Sequence, residues 1–130
     1  MKVGLYFGSF NPIHLGHLII AQHIINQELV DQIWFVISPQ NPLKKAGTLL
    51  NQNHRKRLID IAIVYESKLK TSNVEFTLPK PSYTIDTLIY LKEKYPDYSF
   101  DIIMGSDSLK NIERWKNFEI LLNEYNFLIF

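Results

Sequence analysis

The chain has 130 residues and no cysteine, with 46% hydrophobic and 21% charged residues. That length suits one domain able to bury its own core, and the lack of cysteine excludes disulfides, thiolate metal sites and a cysteine nucleophile. Lys and Arg number 14 against 13 acidic residues, a net charge of +1 that argues against a protein coating nucleic acid or a membrane surface. No apolar run approaches the roughly 18 residues of a membrane-spanning helix. The opening Met1-Lys2-Val3-Gly4-Leu5 runs into a strand-like stretch, not a signal peptide, so a cytoplasmic location is expected.

Taken in chain order, apolar strand-like runs alternate with runs of helical period. Lys2–Phe7 reads as a buried strand. Leu15–Glu28 reads as a helix that places Leu15, Leu18, Ile19 and Ile25 on one face. Ile33–Ser38 is rich in β-branched and aromatic residues and reads as a second strand. The period of Gln52–Glu66 predicts a helix with Leu58, Ile59, Ala62 and Ile63 on one face, and with His54 and the Arg55-Lys56-Arg57 run on an exposed charged face. Val74–Phe76 reads as a short third strand. Thr84–Lys94 reads as a helix with Thr84 as N-cap and Pro96 beyond its end. Phe100–Met104 follows as a fourth strand, Ser106–Trp115 and Asn117–Asn123 as two short helices, and Phe127–Phe130 as a fifth strand. This order predicts an α/β fold, a mostly parallel five-stranded sheet with helices on both faces. Ligands of such sheets bind beyond the carboxyl ends of the strands. Gly8–His17, Pro39–Lys45 and Gly105–Asp107, which follow strands one, two and four, are therefore expected to share a crevice.

The segment after strand one is the most informative. Phe7-Gly8-Ser9-Phe10-Asn11-Pro12-Ile13-His14-Leu15-Gly16-His17 joins a strand to a helix start. That geometry aims backbone N–H groups and the positive end of the helix dipole at an anion. Gly8 allows a close turn. His14 and His17, three apart, share a helix face and can donate to phosphate oxygens. Gly16 leaves bare backbone on which a base or sugar could lie. There is neither a GxGxxG dinucleotide fingerprint nor a GK[ST] phosphate loop, and nothing ties His23 or His54 to the loop as a third zinc ligand.

GSFNPIHLGH resembles the GxFxPxHxGH signature of the nucleotidyltransferase superfamily with the HxGH motif. Pro39-Gln40-Asn41-Pro42-Leu43-Lys44-Lys45, Pro81-Ser82-Tyr83-Thr84-Ile85-Asp86-Thr87-Leu88 and Met104-Gly105-Ser106-Asp107-Ser108-Leu109, with Trp115, extend the likeness. Together they resemble the bacterial nicotinate mononucleotide adenylyltransferases across essentially the whole chain. The resemblance implies a Rossmann-like nucleotidyltransferase fold and adenylyl transfer from ATP to nicotinate mononucleotide, giving deamido-NAD and pyrophosphate. It implies that His14 and His17 are catalytic and that Gly8, Ser9, Phe10, Gly16, Gly105 and Asp107 hold ATP. It further implies that Asn41, Lys44, Lys45, Tyr83, Thr84 and Trp115 hold the mononucleotide.

The attacking phosphate is already ionised at neutral pH, so no general base is required. Catalysis is expected to rest on positioning and charge neutralisation, with Mg²⁺ held by the phosphates rather than by protein carboxylates. Neither nucleic acid nor a membrane is expected as a partner. Phosphopantetheine adenylyltransferase and glycerol-phosphate cytidylyltransferase share the HxGH loop and stand as alternatives, as does an inactive nucleotide-binding fragment. The chain stops inside the apolar run Phe127-Leu128-Ile129-Phe130, before the family's ISSTxxR-like segment. It is therefore expected to be a single nucleotidyltransferase domain lacking that C-terminal segment, with uncovered sheet surface favouring a homo-oligomer.

Overall fold

A computed structural model describes residues 1–39, 50–79 and 83–130. Five strands form one sheet in the order β3-β2-β1-β4-β5, every pairing parallel: β1 (Lys2–Gly8), β2 (Gln32–Ile37), β3 (Leu69–Ser72), β4 (Ser99–Met104) and β5 (Phe127–Ile129). β1 lies at the centre, and its apolar run Val3–Tyr6 is buried on both faces, as a central parallel strand requires.

The helices are α1 (Leu15–Asn26), α2 (Gln52–Ala62), α3 (Thr84–Lys94), α4 (Ser106–Leu109) and α5 (Phe118–Glu124). One core gathers Ala21, Ile24 and Ile25 of α1 and Ile59 of α2 against Tyr6, Ile33, Phe35, Ile37 and Ile103. The opposite core gathers Ile85, Leu88 and Leu91 of α3 and Leu121 of α5 against Val3, Leu5, Val36, Phe100 and Ile102. β1 thus feeds a crossover on one face, while β4 is reached by a crossover on the other. The order reverses between these neighbours, which is where an open α/β sheet leaves a crevice at its carboxyl edge. Among the described residues, no helix is long and apolar enough to cross a membrane.

Several details depart from the sequence reading. Val74–Phe76 is a 3-10 turn, not a strand. The third strand is Leu69-Lys70-Thr71-Ser72, which pairs only with β2 and so needs little apolar character. Glu75, centred in the apparent Val-Glu-Phe strand, is buried and accepts a 2.7 Å hydrogen bond from Thr87 Oγ1. α1 buries Ala21, Ile24 and Ile25, whereas Leu15 and Ile19 are 70% and 58% exposed. In α2 the buried positions are Arg55 and Ile59, with Ile63 just beyond its end, and Leu58 and Ala62 face outward. Tyr83, not Thr84, is the N-cap of α3. Ser106–Trp115 breaks into α4 and a 3-10 turn at Ile112–Arg114, because only Ile112 in that stretch is buried. So short a helix has no stability without a packed face.

Candidate active site

The loop from β1 to α1 is built around Phe10. This residue adopts φ 45, a left-handed conformation that costs a non-glycine residue about 1–2 kcal/mol. Its ring offsets the strain by entering the core, 2% exposed and edge-on to Tyr6, Phe35 and His17 at 5.5, 5.4 and 5.0 Å. Gly8 permits this. A Cβ there would press on the Phe10 ring at 3.1–3.4 Å. Asn11 Oδ1 accepts from the Leu50 N–H at 2.9 Å, tying the loop to the start of the α2 region.

His14 caps the N-terminus of α1 in an extended conformation, and the backbone N–H of His14 donates to His17 Nδ1 at 3.1 Å. The rings stack with centroids 3.7 Å apart. Burial, with the adjoining His14 as a second cause, lowers the His17 imidazole to about 4. His17 is therefore neutral at physiological pH. With Nδ1 accepting, its proton sits on Nε2, which is left as the donor. His17 thus offers a directed N–H rather than a charge, beside the His14 ring and the positive end of the α1 dipole. The space a Gly16 side chain would need, which sequence reasoning offered to a base or sugar, is taken by the His14 ring. A Cβ would lie 2.9 Å from His14 Cε1 and 3.0 Å from Nδ1.

Tyr6 pairs with Ile103 in the β1–β4 register, so the His14–His17 loop and the Gly105–Asp107 turn leave neighbouring strand ends. Gly105 caps α4, and Asp107 stands exposed in its first turn. Tyr83 and Thr84 open α3 on the other side of the sheet. Trp115 is half-buried against the core on that same side. Lys116, which sequence reasoning passed over, connects the two segments: its Nζ lies 3.3 Å from the Asp86 carboxylate and 5.3 Å from the Tyr83 ring centroid. Asn41, Lys44 and Lys45 lie outside the described residues.

Arg55 departs most from the sequence pattern, which sets it with Lys56 and Arg57 on an exposed charged face. His54 and Arg57 are indeed exposed, but Arg55 is 1% exposed. Its Nη1 donates to Ser9 O at 2.6 Å and Ser38 O at 2.7 Å, its Nε to Leu50 O at 2.8 Å, and its Nη2 to Pro39 O at 3.3 Å. The rigid donor fork makes this burial feasible, because each of its three nitrogens donates to a main-chain carbonyl. Burial lowers its pKa from the usual value, yet a guanidinium stays charged at any physiological pH.

Comparison with known proteins places the chain in a family. The cytidylyltransferase-like family matches residues 5–130. A probable nicotinate-nucleotide adenylyltransferase from Flavobacterium johnsoniae is 49% identical over the whole chain, which covers 67% of that relative. One of the same name from Cytophaga hutchinsonii is 48% identical, with 68% covered. The chain thus spans about two thirds of the length of these curated relatives. The solved Plasmodium falciparum nicotinic acid mononucleotide adenylyltransferase in complex with NaAD superposes with a TM-score of 0.84 at 29% identity, over 98% of this chain and 63% of that one. Fold, loop motif and relatives converge: the chain belongs to the cytidylyltransferase-like family, among the nicotinate-nucleotide adenylyltransferases.

Proposed function

We propose that residues 1–130 act as a nucleotidyltransferase domain that moves the adenylyl group of ATP onto the phosphate of nicotinate mononucleotide, releasing pyrophosphate and forming deamido-NAD. The observation that carries this reading is the stacked His14–His17 pair at the tip of α1, beside the β1–β4 reversal point. Relatives bearing the nicotinate-nucleotide adenylyltransferase name support the choice of acceptor.

A phosphate oxygen of the mononucleotide attacks the α-phosphorus of ATP in line. The bond from that phosphorus to the bridging oxygen breaks, and pyrophosphate leaves. The attacking oxygen is already ionised, so the protein's task is to bring two anions together. His17 Nε2–H, His14 and the backbone N–H groups at the start of α1 donate to the phosphates where charge develops. Gly105 and Asp107 are assigned to the adenosine side, where a carboxylate accepts from ribose hydroxyls. Tyr83, Thr84 and Trp115 are assigned to the pyridine ring, which a flat aromatic can stack on. Asn41, Lys44 and Lys45 are assigned to the mononucleotide phosphate on sequence grounds. Among the described residues no cluster of three or more His, Asp or Glu side chains could hold a metal. In this reading Mg²⁺ enters as part of the MgATP substrate, held by phosphate oxygens.

A panel pairing ATP or CTP with nicotinate mononucleotide, phosphopantetheine or glycerol phosphate tests the reading. Pyrophosphate release is expected only with ATP and nicotinate mononucleotide. Release with CTP, or with another acceptor at a comparable rate, would replace the assignment. Calorimetric ATP binding without pyrophosphate release under any pairing would favour a nucleotide-binding role instead.

A further inference from the structure

Arg55 lies behind the β1–α1 loop. Among the described residues, its four hydrogen bonds end on main-chain carbonyls, those of Ser9, Ser38, Pro39 and Leu50. Among the described residues, none of the ion pairs involves it. Carbonyl dipoles accept from all three of its nitrogens but leave its positive charge unneutralised. A charge held 1% exposed is screened by salt far less than a surface lysine.

The contact with Ser9 has a directional consequence. That carbonyl belongs to the amide joining Ser9 to Phe10, which is not among the cis bonds of the chain. In a trans amide the N–H points opposite to the C=O. With Ser9 O drawn onto the guanidinium at 2.6 Å, the Phe10 N–H is turned away from Arg55. Phe10 is also the residue at φ 45, so the amide is gripped on both sides, by the buried ring and by the guanidinium. The same guanidinium fixes Leu50 O, while the Leu50 N–H donates to Asn11 of the loop.

We infer that Arg55 is a positioning residue for nucleotide phosphates: it holds the Ser9–Phe10 amide with its N–H turned toward them and sets an unneutralised positive charge behind them. This rests on the nucleotidyl-transfer reading given above.

Two variants separate shape from charge. Arg55→Lys keeps the charge and loses the fork, whereas Arg55→Met keeps the bulk and loses both. Each is titrated calorimetrically with ATP and CTP and melted in parallel. For folded protein, the ATP dissociation constant is expected to rise on the order of 10-fold in Arg55→Lys and 100-fold in Arg55→Met. A folded Arg55→Met that binds ATP within about twofold of the unaltered protein would show that Arg55 only supports the fold and would overturn the inference. An unaltered protein that binds neither nucleotide would instead remove the functional reading. If neither variant folds, the unaltered protein still decides. Inorganic tripolyphosphate is expected to slow exchange of the Phe10 amide hydrogen at least 10-fold, and unchanged exchange at saturation would overturn the inference.

Discussion

Replacing Gly16 by alanine adds one methyl group at the second residue of α1. Gly16 is not among residues at positive φ, so alanine fits the backbone. Helix propensity then favours the variant by roughly 0.5–1 kcal/mol. For a chain of this size that corresponds to a melting temperature higher by about 2–4 °C. The added Cβ, however, lies 2.9 Å from His14 Cε1, closer than any stable contact. His14 is exposed, so its ring swings outward without disturbing the core. The 3.7 Å stack on His17 is lost, and the His14 ring leaves the position proposed for a phosphate donor. Deleting a preorganised donor costs about 10²–10³ in turnover. A displaced ring should fall lower, at roughly 10- to 100-fold. Thermal melting and pyrophosphate release measured on the same preparation test both halves. Turnover within about threefold of the unaltered protein, alongside the gain in melting temperature, would show that the His14 position is not used. A fall of several degrees would show that the ring cannot move aside as supposed.

Removing the second imidazole, in His17→Ala, is expected to lower turnover on the order of 10²–10³-fold, read from steady-state pyrophosphate release; a change of only a few-fold would sink its role as donor. The folded His17 pKa of about 4 lies below its ordinary 6.5, so between those values the unfolded chain binds more protons and stability falls on acidification. That contribution is intact above pH 6.5 and is lost as the pH falls through about 4. Melting curves across this window should show a shallower slope for His17→Gln. Lys116→Ala removes an ion pair whose partners are 48% and 42% exposed. It should change stability by less than about 1 kcal/mol while raising the KM for the mononucleotide and not that for ATP. Phe35→Ala removes a fully buried ring stacked on Tyr6 at 5.5 Å and should cost about 3–5 kcal/mol in denaturant unfolding.

The fold was legible where one physical signal dominated. β1, β2 and β4 are buried on both faces and show themselves as apolar runs. α3 matched the sequence reading from Thr84 to Lys94, because Pro96 stops it and its apolar spacing faces one core. Legibility failed where tertiary context overrides composition. β3 is an edge strand of mixed polarity, and Val74-Glu75-Phe76 imitates a strand while burying its glutamate in a turn. Leu15 and Ile19 look like core residues on a helical wheel, yet α1 turns Ala21 and Ile24 inward.

The site shows the same division. The loop motif points to His14 and His17, and the structure stacks their rings at the tip of α1. Nothing in Arg55-Lys56-Arg57 says that one arginine is buried and its neighbours are not. The helical period held the signal, because Arg55 is four residues before the buried Ile59, and its charge concealed it. Lys116 acquires meaning only once Tyr83 and Asp86 are seen beside it.

Calorimetric titration of ATP into the unaltered protein and into His14→Ala/His17→Ala bears most directly on the phosphate cradle at the tip of α1. Saturable one-to-one binding is expected for the first, and at least a 10-fold weaker dissociation constant for a folded double variant. Equal affinity for both proteins would contradict the account.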